Sequence, residues 1–131
     1  MNIPWITRVF LQHWGITVFR IAVVFRLMKW CATAFLMRIR CSMKKGVQAA
    51  QAFTFLGDVG HVIECHAKRN GFSVVRDFCG HGVGIQFHEE PEVLHYGRKS
   101  SGMLLVPGMT LTIEPMLNMG TWKVVMDQSD G

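Results

Sequence analysis

The stretch CGHGVGIQFHEEP, from Cys79 to Pro91, holds side chains that can bind metal ions or transfer protons. His81 stands between two glycines, which would let another backbone or a ligand approach it closely. His88 follows in the same stretch, and Glu114 comes later, in the sequence TLTIEP. A lone carboxylate on an otherwise apolar strand costs free energy unless it is paired, hydrogen-bonded or bound to metal. Histidine and glutamate are a reasonable ligand pair for a divalent first-row metal, so a metal site is one interpretation of this pattern.

The same residues also have structural interpretations. A histidine among glycines is more often a turn residue or a hydrogen-bonding residue than a ligand. His88, Glu89 and Glu90 are typical of a solvated loop, and the proline after them would break a helix. Glu114 suits an edge strand, where a charge discourages aggregation. The glycine spacing is not that of a dinucleotide site, because no helix follows it and no acidic partner is placed correctly. Four other histidines belong to no grouping and are predicted to be structural: His13, His61, His66 and His95.

Two helices are predicted upstream of this stretch. CSMKKGVQAAQAF is compatible with a helix that ends near Ala52. LGDVGHVIECHAKRNG has an acidic residue in its first turn and basic residues in its last, which suits the helix dipole. Asn70-Gly71 is a natural C-terminal stop for this second helix. One buried stripe is predicted along it, at helical spacing, from Val59, Val62, Ile63 and Ala67.

Strands are predicted around and after the glycine-rich stretch. FSVVR precedes it as a short strand, and KVVM is a further candidate near the end of the chain. Between them, VPGMTLTIEP has a Pro-Gly turn and then the alternation of a strand. One face of that strand would carry Met109, Leu111 and Ile113, and the other Thr110, Thr112 and Glu114. Because strands follow helices without strict βαβ alternation, the predicted fold class is α+β.

Charge and cysteine content restrict the function classes. The chain has 131 residues and a net charge of +5, which suits a single domain. All of the basic excess lies in residues 1–57, with eight Lys or Arg and no acid, whereas residues 58–131 have six basic and nine acidic residues. The second part therefore has no surplus of basic charge for nucleic acid. The four cysteines form no zinc-like spacing and are interpreted as reduced thiols of a cytosolic protein.

Residues 1–40 form an atypical basic and apolar segment. Its longest charge-free run is Val9–Phe19, eleven residues, whereas a membrane span needs about 20 apolar residues. Three interpretations stay open: a basic segment on a membrane surface, a transit-like presequence, and a segment that was never selected to fold. The absence of acids and of helix or strand punctuation favours the third, and apolar residues on all sides at helical spacing leave no clean amphipathic stripe.

With these elements in place, the motifs GHGVG-x-x-FHEEP and TIEP are seen to resemble the type I methionine aminopeptidases. The resemblance runs from about residue 44 to residue 131, roughly two thirds of the chain. It implies a pita-bread α+β fold and an exopeptidase that removes the initiator methionine from peptides or nascent proteins. It also implies two divalent metal ions, variously cobalt, iron, manganese or zinc, held by two Asp, one His and two Glu.

The resemblance assigns roles residue by residue. It makes His81 and Glu114 metal ligands and His88 the substrate-contacting catalytic histidine. It makes Phe87 an aromatic wall of the methionine pocket, with Met116 nearby. By family habit, the protein would be a cytoplasmic monomer with peptide substrates and no nucleic-acid or membrane partner.

Departures from the family pattern predict an incomplete catalytic domain over residues 41–131. The region that should carry the two Asp ligands, residues 1–30, contains no Asp, and the second Glu ligand would lie beyond residue 131, so three of five ligands are missing. One hypothesis is that residues 1–40 are frameshifted, because Val9-Phe10-Leu11 is what Gly-Tyr-Phe-Ser codons give in another frame. Translation of the encoding DNA in its other frames tests this, since no D-G-Y-x-x-x-D pattern near the start would refute it.

The leading hypothesis is therefore a truncated and inactive fragment of a methionine aminopeptidase. A non-catalytic pita-bread binding module is one alternative, although it has no chemical need for His81, His88 and Glu114. A membrane-surface protein anchored by residues 1–40 is the other, and flotation with anionic liposomes separates it from the first.

Overall fold

The computed structural model describes residues 20–22 and 33–125, which form two helices and six strands. This mixture, with short strands after the helices, confirms the predicted α+β class. The predicted segment 1–40 lies mostly outside the described residues, and the predicted boundary at residue 41 falls inside the first helix. The elements in chain order are β1 (Arg20–Ala22), α1 (Thr33–Ala49), α2 (Leu56–Arg69), β2 (Phe72–Val74), β3 (Gly80–Gly82), β4 (Glu89–Val93), β5 (Thr110–Thr112) and β6 (Leu117–Met119).

Helix α2 is the element that the sequence predicts best. Val59, Ile63 and Ala67 are fully buried along its predicted stripe, and Val62 is half-buried. The backbone amide of Gly71 donates to the carbonyl of Lys68, and Gly71 has a φ of 77°, a left-handed conformation that glycine adopts at low cost. The predicted helix and its stop are therefore confirmed.

The sheet that carries the glycine-rich stretch has the strand order β1-β5-β3-β4. Strand β3 pairs antiparallel with both β5 and β4, while β1 pairs with β5 in parallel. Strands β2 and β6 form a separate antiparallel pair. The core between α1, α2 and the strands includes Ile63, Val93, Leu105, Leu111 and Ile113, all of them essentially inaccessible to solvent.

Strand β4 and the end of the chain correct two sequence predictions. Glu89 and Glu90 lie in β4 rather than in a loop, because the Glu89 carboxylate accepts the Gln86 amide at 2.6 Å and so closes a tight turn back onto β3. The described part of KVVM, residues 123–125, is not a strand. The strand in this region is instead β6, and Gly120, at a φ of 86°, turns the chain away after it.

The end of α1 also differs from prediction, since the helix ends at Ala49 rather than near Ala52. Phe53, with a φ of 65°, turns the chain, and its amide donates to the carbonyl of Leu105 at 2.7 Å. A contact with a distant segment thus ends the helix early.

Among the described residues, the helices are too short or too polar to cross a bilayer.

Asp58 fixes the start of α2 and gives a pH-dependent prediction. Its carboxylate accepts the amides of Ser100, at 2.9 Å, and Phe55, at 3.0 Å, and these bonds lower the pKa of Asp58. We expect Asp58→Asn to lower the free energy of unfolding by about 1 kcal/mol at pH 7, because the asparagine side chain has a single acceptor oxygen and loses one of the two hydrogen bonds. Since the folded-state pKa is depressed, the charge stabilises the fold above the unfolded-state pKa, and this contribution disappears as pH falls through the folded-state value.

Urea unfolding of both proteins from pH 7 to pH 3 measures this difference. The difference in the free energy of unfolding between wild type and Asp58→Asn should be largest at neutral pH and should disappear in acid. A gap of constant size across the range would show that the charge of Asp58 contributes nothing.

Candidate functional site

Strands β3 and β5 bring His81 and Glu114 together. Gly82 in β3 lies opposite Leu111 in β5, so the residue just before Gly82 faces the segment that continues from β5 towards Glu114. The Nε2 atom of His81 is 3.6 Å from Oε1 of Glu114, and both side chains are largely but not fully buried. Two residues that are 33 positions apart in the sequence thus form one pair of adjacent donor atoms.

The glycines beside His81 are required by the neighbouring backbones. A Cβ at Gly80 would collide with the backbone carbonyl of Thr112, and a Cβ at Gly82 would collide with that of Glu90. The sequence predicted that another backbone or a ligand approaches here, and the structure shows that it is another backbone. His81 is therefore held between β5 on one side and β4 on the other.

The imidazole of His81 has a defined tautomer. Its Nδ1 lies 2.8 Å from the carbonyl oxygen of Gly82, which can only accept, so Nδ1 carries the proton and donates it. In the neutral ring this leaves the lone pair on Nε2, the nitrogen that faces Glu114. A histidine that ligates metal generally donates its other N–H to a carbonyl or carboxylate in this way.

Glu114 is held through its backbone and through its carboxylate. Its amide donates to Nε2 of His95 at 3.0 Å, and its Oε1 accepts the hydroxyl of Thr112 at 2.9 Å. His95 is buried, and burial lowers the pKa of this histidine to about 4, so that its ring is a neutral acceptor at physiological pH. The prediction that His95 is structural is consistent with this contact, but the sequence did not indicate that it supports Glu114.

His88 and Phe87 stand on the exposed side of His81. The ring centroids of His81 and His88 are 4.1 Å apart, and the Phe87 ring meets His88 edge-on at 4.7 Å. The Phe87 side chain is 64% exposed, although it is large and apolar. The carbonyl of Met116 accepts the amide of Val75 at 3.0 Å, which fixes its backbone, while a pocket role for its side chain stays a prediction.

The His81–Glu114 pair fits part of a metal site. Two ligand atoms of a tetrahedral zinc-like ion lie about 3.4 Å apart, close to the 3.6 Å between Nε2 and Oε1. Within residues 20–22 and 33–125, however, no third His, Cys, Asp or Glu joins them in a group suited to metal. The described residues therefore provide two donors to one ion, and such ions need about four to six.

Cys79 is a protonated thiol at neutral pH in the metal-free protein. Burial raises the pKa of this thiol, and the nearby carboxylates of Glu92, Glu114 and Glu90 raise it further, because each of them disfavours a second negative charge. A protonated thiol is a poor ligand and a poor nucleophile. The local negative charge comes from carboxylates and favours a cation.

The helix histidines lie in other contacts. Nδ1 of His66 is 2.8 Å from the hydroxyl of the buried Ser42, across the α1–α2 interface, and Nδ1 of His61 is 3.4 Å from the carbonyl of Gly97. Both contacts agree with the structural role predicted for these residues. His13 lies outside the described residues.

Comparison with known proteins shows that the sequence of this chain matches one protein family. The sequence model of metallopeptidase family M24 matches residues 32–128. The methionine aminopeptidase of Rickettsia prowazekii is 41% identical over 90 residues, which are 69% of this chain and 35% of that protein. Methionine aminopeptidase A of Synechocystis is 48% identical over 84 residues, which are 64% of this chain and 33% of that protein.

Solved structures of methionine aminopeptidases also match this chain. The crystal structure of the methionine aminopeptidase from Rickettsia prowazekii matches with a TM-score of 0.69 and 39% identity, over 72% of this chain and 38% of that one. The enzyme from Thermotoga maritima matches with a TM-score of 0.68 and 40% identity, over 71% and 37%. The chain thus spans about a third of the length of the curated relatives that it matches.

Proposed function

Because the chain belongs to metallopeptidase family M24, we propose that it functions as part of a methionine aminopeptidase, a metal-dependent exopeptidase that removes the initiator methionine. Its described residues form part of the pita-bread fold of the structures it matches. The observation that carries the proposal is the His81–Glu114 pair, with Nε2 and Oε1 3.6 Å apart and the histidine tautomer suited to ligation. The substrate would be the free N-terminus of a peptide or nascent protein.

In this proposal His81 and Glu114 bind a divalent ion, and cobalt, iron, manganese and zinc are the candidates. When bound, such an ion activates water and polarises the scissile carbonyl. Burial raises the pKa of Cys79, and the nearby carboxylates that raise it further also favour a cation and a protonated amino terminus. We expect the complete enzyme to act in the cytoplasm as a monomer, without a nucleic-acid or membrane partner.

His88 and the two pocket residues would handle the substrate. His88 is exposed and packs on the outer face of His81, so its imidazole can donate a hydrogen bond to a peptide carbonyl near the metal ligands. Phe87 presents an exposed apolar ring beside it, which suits a methionine side chain, and a methionine such as Met116 adapts well to such a pocket. Exposure of both rings is consistent with a site that is open to a peptide.

Methionine release from a Met-Ala-Ser peptide tests this function in two forms of the protein. The chain alone, with added cobalt or manganese, is expected to release no methionine, because one His and one Glu are too few donors for a bridging metal pair. The second form is a chimera in which residues 33–125 replace the matching segment of the Rickettsia prowazekii enzyme. Because that enzyme supplies the other ligands, the chimera is expected to be active.

The matched control is the same chimera with His81→Ala, which should fold and lose at least about 100-fold in kcat/KM. An inactive chimera that folds and binds cobalt would refute the proposed function. Turnover by the chain alone that is lost in His81→Ala would refute the view that its donor set is incomplete.

A further inference from the structure

Thr112 joins the two proposed ligands from inside the sheet. Its side chain is fully buried, although the sequence places it on the polar face of its strand with Glu114. The hydroxyl oxygen lies 2.9 Å from the backbone nitrogen of His81 and 2.9 Å from Oε1 of Glu114. It therefore contacts the main chain of one proposed ligand and the side chain of the other.

The directions of these hydrogen bonds follow from the atoms involved. The hydroxyl has one proton to donate and two lone pairs to accept with. The His81 amide can only donate, so the hydroxyl accepts there. Its own proton goes to Glu114 Oε1 at 2.9 Å rather than to the His81 carbonyl at 3.4 Å, because the former contact is shorter and its acceptor is charged.

Strand geometry explains why residue 112 is the one that does this. Thr112 is the last residue of β5, and Glu114 follows two residues later, close enough for the Thr112 hydroxyl to reach its carboxylate at 2.9 Å. The antiparallel pairing of β3 with β5 brings the His81 amide to the same point. A β-branched side chain has few χ1 choices, so the backbone of β5 sets the direction of the hydroxyl.

We propose that Thr112 is a positioning residue that fixes the separation of the His81 and Glu114 donor atoms before any ion binds. Oε1 is both the atom that Thr112 holds and the atom that faces Nε2 of His81 at 3.6 Å. A carboxylate oxygen has a second lone pair, so Oε1 can keep the hydrogen bond while it binds a metal ion. This inference rests on the proposed function for its effect on metal affinity, but the link between the strands exists without metal.

Two variants of Thr112 separate the hydroxyl from the shape of the side chain. Thr112→Val keeps the branching and removes the hydroxyl, whereas Thr112→Ser keeps the hydroxyl and removes the methyl group. Ile113→Val is the matched control, because it removes a methyl group from the neighbouring buried residue of the same segment and no hydrogen bond.

The first measurement is hydrogen exchange of the His81 amide in the metal-free chain of 131 residues, followed by NMR and corrected for global stability. Thr112→Val should speed this exchange by about tenfold, since it removes the amide's acceptor. Thr112→Ser and Ile113→Val should stay near the wild-type rate. Equal exchange in Thr112→Val and wild type would overturn the proposal.

The second measurement is the affinity for Co²⁺ alone, by calorimetry. Thr112→Val should weaken binding by about 10- to 100-fold, the usual effect of losing a group that orients a ligand, and Thr112→Ser should recover most of it. A loss as large in Ile113→Val would assign the effect to packing and overturn the proposal. If the wild-type chain binds no Co²⁺, its two donors are too few to hold the ion alone, and the exchange measurement by itself decides whether Thr112 links the two strands.

Discussion

Gly82→Ala is expected to lower the free energy of unfolding by about 3 kcal/mol, the upper part of the range for overpacking in a core. The new Cβ would collide with the carbonyl of Glu90 and come close to that of Glu89, both of them backbone atoms of β4. Backbone in a paired strand cannot move aside without breaking its hydrogen bonds. Urea unfolding followed by circular dichroism measures the change.

Gly84→Ala provides a matched control within the same turn. The atoms nearest to its Cβ would belong to the carboxylate of Glu89, the end of a side chain, which can move at the cost of its hydrogen bond to the Gln86 amide. We expect its loss of stability to be smaller than that of Gly82→Ala by about 2 kcal/mol. Equal losses at the two positions would mean that the close approach of β3 and β4 does not limit residue 82.

His81→Ala is expected to weaken Co²⁺ binding to the full chain by at least about 100-fold, because it removes one of two donors. The wild-type chain should bind one ion weakly, and not two tightly, since no third potential ligand among the described residues joins His81 and Glu114 in a group that could hold a metal ion. Calorimetry gives both the stoichiometry and the affinity. Two tight sites in the wild type would contradict the expectation directly.

His88→Ala is the control for this experiment, because its ring contacts that of His81 at 4.1 Å but is proposed to face the substrate. We expect metal affinity to change by less than about threefold in this variant, roughly the effect of a surface substitution. An equally large loss of Co²⁺ binding in both variants would identify His88 as a ligand and reassign the catalytic role.

The sequence predicted best those elements whose stability is local. Helix α2 has its apolar stripe, its acidic first turn and its Asn-Gly stop within sixteen residues, so no distant contact is needed to define it. The strand after Pro107-Gly108 was predicted from alternation and a turn signal, although it ends at Thr112 rather than at Pro115. The fold class was predicted from the order of these elements. That His81 and Glu114 lie close together was predicted from the resemblance of two motifs to the methionine aminopeptidases.

Contacts between distant segments account for the errors. Residues 123–125 have the composition of a strand, but β2 already pairs with β6 and the chain turns at Gly120. Helix α1 ends early because Phe53 bonds to Leu105, which is 52 residues away. The composition around Glu89 and Glu90 predicts a solvated loop. In the structure, the hydrogen bond from the Gln86 amide to Glu89 closes a turn that pairs these residues with β3.

For the same reason, the hydrogen bonds that hold Glu114 in place could not be predicted from the sequence. His95 belongs to no motif, and its role depends on the amide of a residue 19 positions later. Thr112 has an ordinary place in an alternating strand, and only the pairing of β3 with β5 shows that its hydroxyl is buried between two proposed ligands. Burial of a polar side chain becomes informative only when its partners are known.

The pairing of β3 with β5 also has a consequence for the order of folding. Strands β3 and β4 are joined by a short turn, so they can meet early, whereas β5 begins 28 residues after Gly82 and closes a longer loop. On a ribosome, α1, α2, β3 and β4 would all emerge before Glu114 does. The two donor atoms can therefore meet only after Glu114 has emerged, and metal capture would follow the assembly of these earlier elements.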